Sequence, residues 1–188
     1  LQDALYGMSA QIQFDYGSNS ISLEPWVSEN LHKSVVLNLS SRLTGSGQPV
    51  TRAYGGTNAD FIQGGVTNDN LEGYGGNDYL LGDAGDDWLI GGVGNDVLFG
   101  QAGHDTLQGG AGADRYAGGG GADRYVFGLG DGADTITAAW SEDVAGDQVE
   151  LGAGIKAHDL RFYAMADGSL LMRVEGTQDS LLYEGWYT

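Results

Sequence analysis

The sequence has no cysteine, two prolines, and eight basic residues against 26 acidic ones in a length of 188. Without cysteine there is no disulfide framework, and the redox compartment stays open, because metal-stapled secreted proteins can dispense with bridges. No apolar run approaches the length of a bilayer span. The opening LQDALYGMSAQIQF has no basic n-region, so it does not read as a cleaved signal peptide. Both ends read as cuts from a longer chain. The net charge of −18 argues against nucleic acid and against anionic membrane surfaces as partners. Catalytic signatures are also missing: there is no H-E-x-x-H, no G-x-S-x-G and no phosphate loop. His32, His104 and His158 are isolated, with no nucleophile motif beside them, and His104 reads as a solvent-facing turn residue. Nor is there a convincing helix. The best candidate, SENLHKSV at 28–35, lacks a clear pattern.

What the chain has in abundance is glycine, 34 residues of it, and much of it is in register. Eight nonapeptides run without a gap from residue 55 to 126: GGTNADFIQ, GGVTNDNLE, GYGGNDYLL, GDAGDDWLI, GGVGNDVLF, GQAGHDTLQ, GGAGADRYA and GGGGADRYV. Position one is always Gly (55, 64, 73, 82, 91, 100, 109, 118). Position six is always Asp: Asp60, Asp69, Asp78, Asp87, Asp96, Asp105, Asp114 and Asp123. Position eight is always large: Ile62, Leu71, Leu80, Leu89, Leu98, Leu107, Tyr116 and Tyr125.

Glycine at positions one and four, often at two, permits positive φ and a tight turn. Residues seven to nine then have room for a short strand whose middle side chain faces inward and whose neighbours face out. A single core side chain per repeat cannot offset the ordering of nine glycine-rich residues, but stacked turns share a continuous core. Successive strands lie on opposite faces, so every second repeat stacks on the same edge. The Asp side chains therefore form two rows, 60-78-96-114 and 69-87-105-123. Carboxylates a strand spacing apart repel unless a cation lies between them. Oxygen-only ligands, carboxylates with turn carbonyls, suit calcium. The charge is distributed accordingly: −1 over residues 1–54, −9 over 55–126 and −8 over 127–188.

These nonapeptides resemble the G-G-x-G-x-D-x-U-x repeat of the RTX (repeats-in-toxin, haemolysin-type calcium-binding) family. The resemblance implies an all-β fold, a parallel β-roll with calcium between neighbouring turns. The ligands it implies are position-six side chains, paired as 60/78, 78/96, 96/114, 69/87, 87/105 and 105/123. Turn backbone around Gly76, Gly85, Gly94, Gly103, Gly112 and Gly121 would complete them. FGLGDGADTI (127–136) looks like the family's closing segment, so Asp131 and Asp134 are expected to complete a last site, for about six to eight ions in all. The segment 146–186 resembles the C-terminal cap of large RTX proteins. By resemblance the chain is a non-catalytic, calcium-dependent folding module of a secreted or cell-surface protein of toxin or adhesin type, exported by type I secretion machinery. An accessory domain of a secreted enzyme, or a ligand-binding adhesin segment, is the alternative.

Three parts are expected: a β-rich flank at 1–54, the roll at 55–136, and a capping β segment at 137–188. In the flank QIQFDY, SISLEPW and VVLNLS alternate as half-buried strands do, with a loop at 41–51. Strands are expected near 148–151, 160–164, 169–174 and 180–186, with ADGS (166–169) as a hairpin turn. Phe127, Trp140 and Trp186 are expected to anchor the cap core. Thr67 replaces glycine at position four of repeat two; a β-branched residue resists a left-handed turn, so the Asp69/Asp87 site is expected to be distorted. Outward positions Tyr79, Leu81, Val97 and Phe99, with Phe61, form an apolar stripe on one face; Trp88 and Ile90 lie on the other. Either a flank lies across the stripe or a protein partner does.

Overall fold

The computed structural model describes residues 51–137 and 146–186, and three further strands as backbone alone: β1 (Ile12–Asp15), β2 (Ser20–Leu23) and β3 (Val36–Asn38). The expectations placed on His32, Trp140 and residues 28–35 fall outside these residues. The chain then zigzags between two sheets. One face receives β4 (Thr51–Tyr54), β6 (Asp69–Gly75), β8 (Trp88–Val93), β10 (Thr106–Ala111), β12 (Arg124–Phe127) and β14 (Gln148–Leu151). The other receives β5 (Phe61–Gly65), β7 (Tyr79–Ala84), β9 (Val97–Ala102), β11 (Arg115–Gly120) and β13 (Ala133–Thr137). Every neighbouring pair in these two ladders is parallel. This is a parallel β-roll.

Register follows from the repeat. Leu71 lies beside Leu89, Leu89 beside Leu107 and Leu107 beside Tyr125; on the other face Ile62, Leu80, Leu98, Tyr116 and Ile136 line up likewise. All eight position-eight side chains are buried, together with Ala53 ahead of them and Phe127 and Ile136 after them. A one-residue slip would turn each of these outward, so the pattern fixes the pairing.

The strands are longer than the three residues expected per repeat. Tyr79–Ala84, for example, runs through positions seven to nine and on through one to three of the next repeat, pairing Asp83 with Gln101 and Ala84 with Ala102. The strand can continue because position one is glycine and buried, with no side chain to crowd the turn stacked beside it. The ladder is also longer than the repeats. Parallel pairings of Thr51–Tyr54 with β6 and of Val36–Asn38 with β5 carry it upstream of residue 55.

At the other end β14 extends one sheet, while a hairpin-linked trio extends the second. It consists of β15 (Leu160–Ala164), β16 (Leu170–Val174) and β17 (Ser180–Glu184), with β17 parallel to β13. The β15–β16 turn falls at ADGS as expected: Met165 N–H donates to Ser169 O at 2.8 Å, and Gly168 takes φ of 88°. Met172, Val174 and Leu181 join the core beside Phe127. Trp186 does not. It is 52% exposed, with its indole edge-on to the Tyr183 ring 5.1 Å away, two residues past the end of β17 at Glu184. Among the described residues the only helical turn is a short 3₁₀ segment, Ala157–Asp159.

Candidate metal centres

The position-six aspartates come together in the two rows read from the sequence. Each after the first of its row accepts, through Oδ1, the backbone N–H of the Asp one full turn earlier. In one row Asp60 donates to Asp78 at 2.8 Å, Asp78 to Asp96 at 2.7 Å and Asp96 to Asp114 at 2.7 Å. In the other Asp69 donates to Asp87 at 2.7 Å, Asp87 to Asp105 at 2.8 Å and Asp105 to Asp123 at 2.9 Å. All eight side chains are at most 4% exposed. This one hydrogen bond uses Oδ1 alone. The second oxygen, Oδ2, of Asp78, Asp87, Asp96, Asp105, Asp114 and Asp123 is buried with no hydrogen-bond partner. Six bare carboxylate oxygens inside one small domain require an occupant.

Their electrostatics say which sign it carries. Burial pushes the Asp78 carboxyl up to about 7, against the Asp60 N–H that lowers it, with the charges of Asp96 and Asp60 raising it further. Burial likewise lifts Asp87 to about 8 and Asp105 and Asp114 to about 7; Asp96 and Asp123 move in the same direction. Desolvation and like-charge neighbours both penalise the anion, and a cation against Oδ2 would relieve both. The surroundings offer further oxygen. A Cβ built on Gly73 would meet Asp78 Oδ2 and stand 2.7 Å from the carbonyl oxygen of Gly91, one turn on. The same cradle recurs at Gly55, Gly64, Gly82, Gly91 and Gly100. Among the described residues no three His, Cys, Asp or Glu side chains gather at one point, so backbone carbonyls have to complete any donor set. Anionic and carbonyl oxygens, without nitrogen or sulfur, fit a hard divalent ion, calcium above all.

The turns divide into two kinds. Position two takes positive φ in repeats three to eight, at Tyr74 (70°), Asp83 (74°), Gly92 (115°), Gln101 (80°), Gly110 (92°) and Gly119 (109°). In repeats one and two it does not, although glycine stands there. Instead Gly56 N–H donates to Asp60 Oδ2 at 2.6 Å and Gly65 N–H to Asp69 Oδ2 at 2.8 Å. Thr67 takes no left-handed φ; its hydroxyl donates to Asp69 Oδ1 at 3.0 Å. The first carboxylate of each row is thus held by its own turn. At position four, Gly76, Gly85, Gly94, Gly103 and Gly121 take positive φ, each packed against position-four backbone one turn earlier; Gly112 keeps that packing without the positive φ.

Of the closing-segment residues, Asp134 continues the first row, accepting Asp114 N–H at 3.0 Å. Asp131 does not join it. Its carboxylate accepts Gly128 N–H at 2.6 Å within its own loop.

Three features are not in the sequence reading. Asp147 continues the second row, accepting Asp123 N–H at 2.9 Å; its spacing Asp147-Gln148-Val149 repeats the Asp-x-apolar step of the nonapeptides. Asp179, 7% exposed, accepts Gly130 and Gly132 N–H and ties β17 to the closing loop. Position five forms a third ladder: Asn68 accepts Asp86 N–H, Asp86 accepts His104 N–H and His104 Nδ1 accepts Ala122 N–H, while Asn77 and Asn95 serve the other edge. Short acceptor side chains at that position in repeats two to six were the available signal. His104 is exposed, as expected, but bonded.

The apolar stripe is continuous. The Phe61 and Tyr79 rings stack at 5.5 Å, and Tyr79 and Phe99 lie 5.5 Å apart, with Tyr79 38% exposed.

Comparison with known proteins gives a family match for the repeats. The sequence profile of the RTX calcium-binding nonapeptide repeat, four copies long, matches residues 54–89 and again 90–125. No curated protein sequence matches the chain. Among solved structures, the extracellular lipase LipA from Serratia marcescens is similar over 77% of this chain, at 19% identity and a TM-score of 0.35. The similar region spans 39% of the lipase chain. The block of nonapeptides at 54–125 therefore belongs to the RTX calcium-binding repeats, and calcium is the ion its family binds.

Proposed function

We propose that this chain is a non-catalytic calcium-binding module of a large secreted RTX protein of toxin or adhesin type, and that it folds as extracellular calcium binds. The ions sit between the paired position-six aspartates of the two rows, with turn carbonyls completing their shells. The roll at 55–136 is the binding part, flanked by 1–54 and closed by 137–188. One observation carries this reading: six buried, partnerless carboxylate oxygens repeat at the same place in successive turns. Inside a cell, where calcium is scarce, their mutual repulsion keeps the chain extended and fit for a one-step exporter. Outside, calcium at about 10⁻⁴–10⁻³ M, the range of extracellular modules, collapses it. Far-UV circular dichroism tests this. The chain is expected to give a coil spectrum in chelator and a cooperative gain of β signal on titration with calcium; a β spectrum unchanged by chelator would refute it.

A further inference from the structure

The last pair of each row differs from the interior pairs. Asp134 Oδ1 accepts Asp114 N–H in the usual way, but its Oδ2 accepts the Tyr116 hydroxyl at 2.8 Å. That hydroxyl also accepts Gly109 N–H at 3.2 Å. In the other row Asp147 Oδ1 accepts Asp123 N–H, and its Oδ2 accepts the Tyr125 hydroxyl at 3.5 Å, while Gly118 N–H donates to the same phenol at 3.0 Å. Both tyrosines are buried, at 2% and 3% exposure. They are also the only position-eight residues of the eight repeats with a polar atom.

The reason lies in the loss of period. Interior aspartates of a row are 18 residues apart, whereas Asp114 and Asp134 are 20 apart and Asp123 and Asp147 are 24 apart. In each interior turn the space above the position-one glycine holds the carbonyl oxygen of the position-one glycine one turn later. Above Gly109 no such carbonyl is among the three nearest atoms. The Tyr116 oxygen lies there instead, 2.5 Å from where a Cβ would stand. A leucine, as at Leu98 and Leu107, would leave Gly109 N–H and Asp134 Oδ2 buried without these partners, at a cost that native proteins avoid.

We propose that Tyr116 and Tyr125 terminate the two rows of calcium sites. At Asp134 the phenol occupies the carboxylate oxygen that stays bare in the interior, and at Asp147 it faces that oxygen from 3.5 Å. Asp134 and Asp147 are then hydrogen-bonded structural carboxylates, not calcium ligands. The roll holds one ion for each bare oxygen, on Asp78, Asp87, Asp96, Asp105, Asp114 and Asp123, and its C-terminal edge is set by protein donors alone. The proposal rests on the calcium reading of the interior turns.

The test is a crystal structure of the full chain grown with calcium, its ions located by anomalous scattering, beside calorimetric ion counts for the wild type and Asp134→Asn. Ions are expected in the interior pairs, none is expected on Asp134 or Asp147, and both phenols stay within hydrogen-bond distance of those carboxylates. Asp134→Asn should bind as many ions as the wild type. An ion on Asp134 or Asp147 with its phenol displaced, or loss of an ion in Asp134→Asn with the β spectrum intact, overturns the proposal while leaving the calcium reading in place. Interior pairs without ions would overturn both.

Discussion

At the scale of the residue, the same aspartate does different work according to its place in the row. Asp96 sits between two others: it accepts from Asp78 and donates to Asp114, so it belongs to two pairs. Asp60 begins a row and belongs to one. Asp96→Asn should therefore cost about two bound ions and Asp60→Asn about one, counted by titration calorimetry. Equal losses would contradict ions shared between adjacent turns. At Thr67 a hydroxyl competes with any ion for Asp69 Oδ1. Thr67→Val keeps the shape and removes the competitor, which is worth about 1 kcal/mol, or about a fivefold gain in affinity at the Asp69/Asp87 site. An unchanged or weakened lowest-affinity phase in the titration would count against it. The sequence ties an altered turn here to β-branching at position four, but repeat one, with Asn58 there, takes no left-handed φ either. β-branching therefore does not account for the turn, and the hydroxyl bond from Thr67 to Asp69 was not foreseeable from it.

At the scale of the element, period decided what could be read. Position-eight burial, the pairing of alternate repeats and the four C-terminal strands were legible because alternation and turn residues specify them locally. The length of each strand was not, since it depends on neighbouring backbones tolerating each other over a buried glycine. Nor was the place of Asp147 in its row, because an irregular excursion separates it from Asp123 and no fixed step survives across it. The cap matters more than its sequence suggests. Strand β14 covers β12, β17 covers β13, and Met172, Val174 and Leu181 complete the core at that end. A chain ending at Asp134 would cut β13 short and leave β12 uncovered, with a truncated core. It should stay mostly disordered in millimolar calcium, with its folding midpoint shifted at least about tenfold upward. Circular dichroism and light scattering of the truncated chain decide the matter; folding at the midpoint of the full chain would show that the cap is dispensable.

At the scale of the whole molecule, proton and calcium compete for the same oxygens. Carboxyls raised by burial to about 7 or 8 stay protonated in the metal-free roll while those of the unfolded chain ionise above about 3.9, so their penalty grows from there until they too ionise. The metal-free fold is thus at its best below the ordinary Asp range near 3.9 and weakens as pH rises through about 7 to 8. In calcium-free buffer, lowering the pH from 8 to 5 should increase the β signal, and raising it again should abolish it. With calcium present the direction reverses, and the folding midpoint should move to higher calcium as pH falls. A calcium-free spectrum that ignores pH across this interval would show that the carboxylates are not what holds the fold apart. The zigzag itself imposes one further rule, a rule of parity. Because adjacent nonapeptides alternate between sheets, excising one would send every later strand to the opposite face: Trp88 would change places with the Tyr79 side, β14 would arrive where β13 now pairs, and both tyrosine-closed ends would swap rows. Excising two, one full turn of 18 residues, shortens the roll and disturbs nothing else. A molecule built this way can grow or shrink only in even numbers.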